Sequence, residues 1–221
     1  MKKILLSVLL CALFINIHSA QAVSYKFEST AGYSNGPGIR INTLFDQISK
    51  SFPFKIRIGF GYTYVYNPGK ALAARKIFIN NATNGRPEKH GFTWDFGFDL
   101  MRRVNWLNLS NAYIYGGPRY ILFTGNFNFV NGNEDFDITS KHWGVGVGLL
   151  TSFPINKKLA LLIDGGLDYF FPSTIYGHDT SYSPDNENVN PREDFKYNDA
   201  DAAINQPKFR LKALMGLRFS F

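Results

Sequence analysis

Large apolar and aromatic residues occupy every second position in several long segments of this chain. In residues 54–66 the even positions are all Phe, Ile or Tyr, whereas the odd positions include Lys55, Arg57 and two glycines. A repeat of two residues is typical of a β-strand whose two faces meet different surroundings. The same alternation recurs in residues 91–103, 142–153, 159–171 and 208–221. The pattern predicts an all-β protein built from long, two-faced strands.

The polar faces of these strands differ from those of a soluble β-sandwich. A sandwich would turn a face of Val, Ile and Leu into its core and a polar face to water. Here one face combines glycine with long cations and carboxylates, which fits a crowded lumen, and the other is rich in aromatic residues, which fits lipid and its interfaces. This arrangement explains how a chain with 16% aromatic residues has a mean hydropathy of only −0.16.

The N-terminus has the composition of a secretory signal peptide. Two lysines follow Met1, an apolar run spans residues 4–17, and a small-residue motif ends at Ala22. The run of about 14 residues is too short for a helix to cross roughly 30 Å of hydrocarbon, so a membrane anchor is the less favoured alternative. We expect removal of residues 1–22, which leaves residues 23–221 as one exported domain. The single cysteine, Cys11, lies in the removed segment.

The links between the predicted strands alternate in length. Short links lie near residues 104–106 and 153–158, and long polar loops span about 67–90, 130–141 and 172–207. Outer-membrane barrels show this asymmetry, with tight periplasmic turns and long external loops. The count predicts an eight-stranded antiparallel transmembrane β-barrel with up-and-down topology, its strands lying at 24–34, 38–47, 54–66, 91–103, 109–129, 142–153, 159–171 and 208–221. A ten-stranded barrel, with the fifth strand divided at residues 116–118, is the alternative.

The fifth predicted strand contains a conflict. If its aromatic positions from Tyr113 to Phe129 face lipid, Arg119 shares that face, where an arginine costs roughly 2–4 kcal/mol at the bilayer midplane. Glycine and proline within a strand often accompany a bulge. We therefore predict a β-bulge or kink at residues 116–118 that turns Arg119 into the lumen; a position at the rim is the alternative.

Charges of both signs collect on the faces predicted to point inward. With Lys26 and Glu28 on the first strand, the expected luminal ion network comprises Lys55, Arg57, Asp95, Asp99, Asp164, Asp168, Arg210, Lys212 and Arg218. An eight-stranded barrel has room only for its own side chains, and charges in so confined a space need partners. We expect salt-bridged side chains to fill the lumen, with glycines leaving room for them. A narrow ion path or gated pore is the alternative.

The two longest loops differ in charge. Residues 67–90 carry five cations and one anion, and residues 71–79 are predicted to form a short helix; residues 172–207 carry seven anions and two cations. We expect solvated loops that attract each other. Alternatively, the basic loop meets lipopolysaccharide phosphates and the acidic loop binds a divalent cation or an external partner. The acidic loop lacks a calcium-loop spacing such as D-x-D-x-D-G, so no metal or other cofactor is expected.

The exported chain, its alternating strands and its terminal pattern Met215-x-Leu217-x-Phe219-x-Phe221 resemble the small eight-stranded outer-membrane β-barrel proteins of Gram-negative bacteria, of the OmpA, OmpX and OmpW type. The resemblance covers the whole mature chain. It implies an outer-membrane location, contact with lipid and lipopolysaccharide, and recognition of Leu217, Phe219 and Phe221 by the barrel-assembly machinery. We expect a monomer that does not bind nucleic acid.

The resemblance leaves the activity open. We expect a non-enzymatic barrel with a structural or surface-interaction role through its external loops; the alternative is an OmpW-like transporter of small or hydrophobic solutes, which would need an apolar lumen and a lateral opening. Some barrels of this size modify lipid A, a chemistry that needs His, activated Ser and an acidic residue together. The one suggestive cluster is Ser140-Lys141-His142 with Asp137 nearby. Its order is reversed relative to the deacylase H-x-S pattern, so catalysis is a remote alternative.

Overall fold

The computed structural model describes residues 24–48, 51–106, 109–192 and 194–221, and the predicted signal peptide lies outside these ranges. Their strands are β1 (Ser24–Ser34), β2 (Pro37–Asp46), β3 (Lys55–Val65), β4 (Arg86–Trp106), β5 (Leu109–Val130), β6 (Glu134–Pro154), β7 (Leu159–Phe170), β8 (Ile175–Tyr176), β9 (Ser181–Tyr182) and β10 (Phe209–Ser220). Their helices are α1 (Ala71–Phe78) and α2 (Tyr197–Ala203). Neither helix is long and apolar enough to cross a membrane.

Eight of the strands close into an antiparallel barrel. Consecutive strands pair from β1 to β7, and β10 completes the circle by pairing with both β7 and β1. The two-residue strands β8 and β9 are attached to β6 outside this circle. The predicted eight-stranded up-and-down barrel is confirmed. The ten-stranded alternative is wrong, because β5 runs without a break from Leu109 to Val130.

The bulge predicted in β5 is also wrong. The register of β5 against β4 and β6 is the same before and after residues 116–118. Arg119 is nevertheless buried, because the face it shares with Tyr115 and Phe123 points into the barrel while Ile114 and Leu122 are exposed outside. Both faces of β5 carry apolar residues, so the period of two identified the strand without identifying its inner face.

The two ends of the barrel differ in construction. Ser24, Phe221 and the last residues of β2, β4 and β6 lie at one end, here called the terminal end. The other end, the loop end, carries residues 66–85 and the described residues of the link between β7 and β10, 171–192 and 194–208. Residues 130–141, predicted as a third long loop, are instead a turn followed by the first residues of β6. Residues 134–141 pair with β5, and Asn131 and Asn133 adopt the positive φ angles that asparagine tolerates in turns.

An apolar band surrounds the barrel, and the outer face is more polar toward the loop end. Aromatic pairs line that boundary: ring centroids are 5.1 Å apart for Phe60 and Trp94, 4.9 Å for Tyr120 and Trp143, and 5.1 Å for Tyr169 and Phe209. Beyond them the outer face of β5 and β6 is polar, and the Asn126 amide donates to both Asp135 and Asp137, at 2.7 and 2.9 Å. The barrel therefore has an aromatic girdle, and on the loop-end side of this girdle the outer face of β5 and β6 is suited to water.

The loops at the loop end form a packed structure with its own apolar core. We call residues 66–90, 123–141, 171–192 and 194–208 the cap. Its core combines inward-facing residues of β5 and β6 with residues of both helices and of β8 and β9: Phe123, Phe127, Phe129, Phe136, Ile138, Ala71, Ala74, Ile77, Phe78, Ile175, Tyr182, Ala200, Ala203 and Ile204. The loops are therefore packed together rather than solvated as expected, and the predicted helix at 71–79 is confirmed.

Polar contacts lock the cap core in place. The rings of Phe78 and Tyr182 meet edge to face with centroids 5.3 Å apart, and the Tyr182 hydroxyl donates to the carbonyl of Ile77 at 3.1 Å. Burial raises the pKa of that hydroxyl further above its ordinary value, so it is protonated and a donor at neutral pH. Arg75 is buried, pairs with Glu134 and lies 4.4 Å over the ring of Phe129. One arginine of the basic loop is therefore buried inside the cap and stabilises it, and is not part of the cap surface.

Substitution of Phe78 by Ala is expected to loosen the cap and leave the barrel closed. Phe78 is 1% exposed, and truncation of such a side chain typically costs about 3–5 kcal/mol. Limited proteolysis of the folded protein in detergent should cut residues 66–85 and 171–208 at least roughly 100-fold faster than in the wild type. The control is Leu72→Ala on the same helix, where the side chain is 56% exposed. Equal resistance of both variants would contradict a core-stabilised cap.

Candidate functional site

A connected set of charged side chains fills the middle of the barrel. Among the described residues it contains five carboxylates and six cations, each no more than 5% exposed: Glu28, Asp95, Asp99, Asp164, Asp168, Arg40, Arg57, Arg119, Arg210, Lys212 and Arg218. We call this set the ion network. Seven barrel strands supply its members, and β6 joins through Ser152, whose hydroxyl oxygen accepts from Arg218 at 3.2 Å.

Asp168 is the most heavily bonded carboxylate of the ion network. It accepts from Arg210 at 2.9 and 2.7 Å, from Arg119 at 3.0 Å and from Lys212 at 2.9 Å. Arg210 also donates to Asp95 at 3.0 Å, and a second nitrogen of Arg210 lies 2.8 Å from the other carboxylate oxygen. Asp95 in turn pairs with Arg40 of β2. Carboxylates and guanidinium groups thus alternate across the lumen.

A second branch of the network runs through Asp99 and Arg57. Asp99 accepts from Arg119 at 2.5 Å and from Arg57 at 3.0 Å. Arg57 donates to Asp164 at 2.8 Å, and Asp164 accepts a further hydrogen bond from the Tyr115 hydroxyl at 2.6 Å. The guanidinium of Arg57 also lies 4.2 Å over the Tyr115 ring. Arg57 therefore has close ionic partners on β4 and β7, a more distant one on β1, and an aromatic face on β5.

The remaining charges lie nearer the terminal end. Arg218 donates twice to one oxygen of Glu28, at 2.9 and 2.7 Å, and the other oxygen lies 3.8 Å from Arg57. Lys55 does not join the network: it donates to Asp46 at 2.5 Å and is part-exposed, as is Lys26 with the same partner at 3.6 Å. Of the residues predicted to face the lumen, Lys26 and Lys55 thus lie apart from the ion network, whereas Glu28 and the other eight belong to it.

Glycines make room for the network. A Cβ atom added at Gly146 would lie 2.0 Å from a carboxylate oxygen of Asp168, and one at Gly97 would lie 2.5 Å from a guanidinium nitrogen of Arg40. At Gly148 the added atom would lie 2.3 Å from the Tyr115 hydroxyl. Long side chains from opposite strands therefore reach each other through space that any larger residue would occupy.

A mainly apolar cluster lies beside the part of the ion network that is nearer the terminal end, and Leu44 is paired directly with Arg57. Six buried side chains form this cluster: Leu44, Met101, Tyr113, Tyr115, Leu150 and Leu162. Toward the loop end lies a cavity of about 640 Å³, with Arg210 at its inner side and residues 201–208 of the cap over it. From the terminal end to the loop end, the lumen thus holds the ion network with its apolar neighbours, the cavity and the cap.

The sequence analysis missed Arg40 and Tyr115 as luminal residues. Arg40 lies between Ile39 and Ile41, which are 62% and 47% exposed on the outer face, so a period of two was present in β2 and pointed Arg40 inward. Tyr115 was assigned to lipid together with the rest of its face. A charged residue between two apolar neighbours was the signal available for Arg40, and the position of Arg119 was the signal for β5.

Ser140 and His142, the pair considered for catalysis, do meet. The Nε2 atom of His142 lies 2.7 Å from the Ser140 hydroxyl oxygen, and its Nδ1 lies 2.9 Å from the Phe171 carbonyl oxygen. A carbonyl only accepts, so Nδ1 carries the proton and the neutral ring accepts from Ser140. Asp137 is on the opposite, outer face of β6. Ser140 is only 1% exposed. The pair lies on the inner face of the barrel wall and connects β6 to Phe171, just after β7.

Comparisons with known proteins support the fold. No family model and no curated protein matches this sequence. Among solved structures, a major outer membrane protein from Thermus thermophilus is similar with a TM-score of 0.72 and 21% identity, over 91% of this chain and 100% of that one. Neisserial surface protein A has a TM-score of 0.40 and 13% identity, over 90% and 96% of the two chains, and nothing is inferred from it. The first similarity and the closed barrel show that this chain has the fold of an outer-membrane β-barrel protein.

Proposed function

We propose that this protein is a sealed, non-enzymatic barrel of the Gram-negative outer membrane, with a structural role and a surface for interactions at its cap. The observation that carries the proposal is the ion network, in which charged side chains from opposite walls meet in the middle of the lumen. A plug of this kind leaves the cap and the polar outer face of β5 and β6 as the parts that meet other molecules. Export through the signal peptide and a monomeric state belong to the same proposal.

Energetics favour a filled lumen over a conducting one. Removal of one partner from a buried ion pair typically costs about 3–5 kcal/mol, because the other charge is left without compensation. An ion path would need several such pairs to separate at once. The apolar cluster beside the network would be a further barrier, since Leu44, Met101 and Leu162 offer no hydrogen bonds to a permeating ion.

The charge and position of the surfaces indicate their partners. The aromatic girdle and apolar band suit outer-membrane lipid, and the exposed Lys70 and Lys76 of the cap suit lipopolysaccharide phosphates. Leu217, Phe219 and Phe221 line the outer face at the end of the chain, where the barrel-assembly machinery would read them. The enclosed position of Ser140 argues for a non-enzymatic role, because a nucleophile must reach its substrate.

The purified barrel is expected to give no steady current in planar lipid bilayers. The ion network and the apolar cluster beside it leave no open path for hydrated ions, so the trace should stay at baseline over a range of voltages. A porin reconstituted in the same bilayer serves as the positive control. Steady, repeated openings of the wild-type protein would contradict the sealed barrel and favour the pore.

Replacement of Asp168 by Asn is expected to destabilise the barrel strongly. The change keeps the shape but removes the charge shared by Arg210, Arg119 and Lys212, and we expect a loss of about 3–5 kcal/mol in the free energy of unfolding. Denaturant titration, followed by the difference in gel mobility between folded and unfolded barrel, measures it. Asp135→Asn on the exposed outer face of β6 is the control and should unfold near the wild-type midpoint. If the two variants unfolded together, the network would not stabilise the fold.

Two glycine substitutions separate crowding in the lumen from the general effect of adding a methyl group. Gly146→Ala places a Cβ 2.0 Å from Asp168 and 2.5 Å from Arg119, and such overpacking typically costs about 1–3 kcal/mol. In Gly165→Ala on the outer face of β7, the nearest atom is 3.9 Å away. The same unfolding assay should show a loss for Gly146→Ala and none for Gly165→Ala. An unchanged free energy of unfolding in Gly146→Ala would mean that the side chains of the network have room for the added methyl group.

A further inference from the structure

The cavity at the loop end has the dimensions of a small-molecule site. Its volume of about 640 Å³ falls within the range of roughly 300–1,000 Å³ typical of ligand pockets. Thr63, Thr93, Ile121 and Phe123 line its barrel wall, and residues 201–208 cover it. The ion network closes its inner side at Arg210, so the cavity is a cup that opens at the loop end rather than part of a channel.

The charged groups that line the cavity are already paired. Arg210 is held by Asp95 and Asp168, and Lys208 forms an ion pair with Asp201 at 2.6 Å. A charged ligand would therefore have to compete with an existing partner. The lining favours an uncharged occupant.

Two buried polar atoms of the lining lack a hydrogen-bond partner within the described part of the chain. They are the hydroxyl oxygen of Thr93 and the side-chain carbonyl oxygen of Gln206, on residues 4% and 5% exposed. The side-chain amide nitrogen of Gln206 donates to Asp201 at 2.8 Å. Gln206 also lies near the His142 ring, but its carbonyl oxygen forms no hydrogen bond of good geometry there. An unpaired buried polar atom costs about 1–3 kcal/mol. An occupant that donates to Gln206, and donates to or accepts from Thr93, would recover part of that cost.

The rest of the wall is apolar. Ile121, Phe123 and Ile204 are each no more than 2% exposed and line the same cavity. Thr63, Thr93 and Phe123 are cross-strand neighbours on β3, β4 and β5, so hydroxyl groups stand directly beside an aromatic ring. A carbon frame bearing several hydroxyl groups matches this lining, because its C–H surface packs on the apolar side while its hydroxyls both donate and accept.

We infer that the cavity binds a small, neutral polyhydroxy compound, a sugar or polyol, at the loop end of the barrel. Asn35, Asn205 and Lys208 are exposed at its margin, which gives access from the loop end without passage through the network. Binding is independent of whether the barrel is structural, since a cup closed by the ion network holds its ligand without transporting it.

The experiment is a titration of the purified, folded protein with glucose, followed by calorimetry or by saturation-transfer NMR. The protein is kept in an amine-oxide detergent, because a glycoside detergent would itself compete for the site. Saturable binding below about 100 mM is expected. Glucuronate, the carboxylate counterpart, should bind more weakly than glucose.

Matched variants locate the binding. Thr93→Val removes the unpaired hydroxyl and should weaken glucose binding about tenfold. Thr30→Val, at a buried threonine whose hydroxyl bonds to the Arg40 carbonyl outside the cavity, should bind as the wild type does. Ala202→Trp fills the cavity from the exposed face of α2 and should abolish binding. Asn198→Trp, exposed on the same helix and outside the lining, should leave it unchanged.

Three results would overturn the inference. The first is the absence of saturable glucose binding to the wild type. The second is tighter binding of glucuronate than of glucose, which would assign the cavity to anions. The third is glucose binding that neither Thr93→Val nor Ala202→Trp reduces, which would place the sugar elsewhere on the protein. Because Ala202 is exposed, its replacement leaves the fold intact and keeps the test decisive if Thr93→Val folds poorly.

Discussion

Charge neutralisation inside a narrow barrel is the constraint on which the rest of this structure depends. Five carboxylates and six cations of the described chain are buried there, and a buried charge is tolerated only with a partner of good geometry. The strands must therefore be staggered so that each guanidinium reaches a carboxylate on another wall. The glycines of the inner faces follow from the same requirement, since Gly97 and Gly146 lie where the side chains of Arg40, Arg119 and Asp168 meet.

Much of the fold could be predicted from the sequence because lipid and lumen impose opposite demands on alternate residues. Where only one face is apolar, as in β3 and β10, the strand and its inner face were both correct. In β5 both faces are apolar, and the choice between them failed. Residues 134–141 of β6 were taken for a loop because Phe136 and Ile138 are the only large apolar residues among them. There the strand faces the cap on one side and water on the other.

Pairing within the lumen and packing in the cap could not be derived in the same way. Which arginine meets which carboxylate depends on the stagger of strands that are distant in sequence, and composition does not carry that information. Arg57 and Asp164, for example, are 107 residues apart in the chain. The cap shows the same limit. The opposite net charges of its two loops suggested attraction across water, yet Phe78, Tyr182 and Ile204 hold the segments together through an apolar core.

The seam between the first and last strands has a consequence for assembly in the membrane. Glu28 and Arg218 are directly opposite each other in the pairing of β1 with β10, and their ion pair spans 190 residues of sequence. Until the chain ends meet, each of these groups lies on a strand with an open edge and lacks its main partner. A half-inserted sheet is thus penalised at both edges. This pair therefore favours insertion in which the edges stay shielded until closure joins them in one cooperative step.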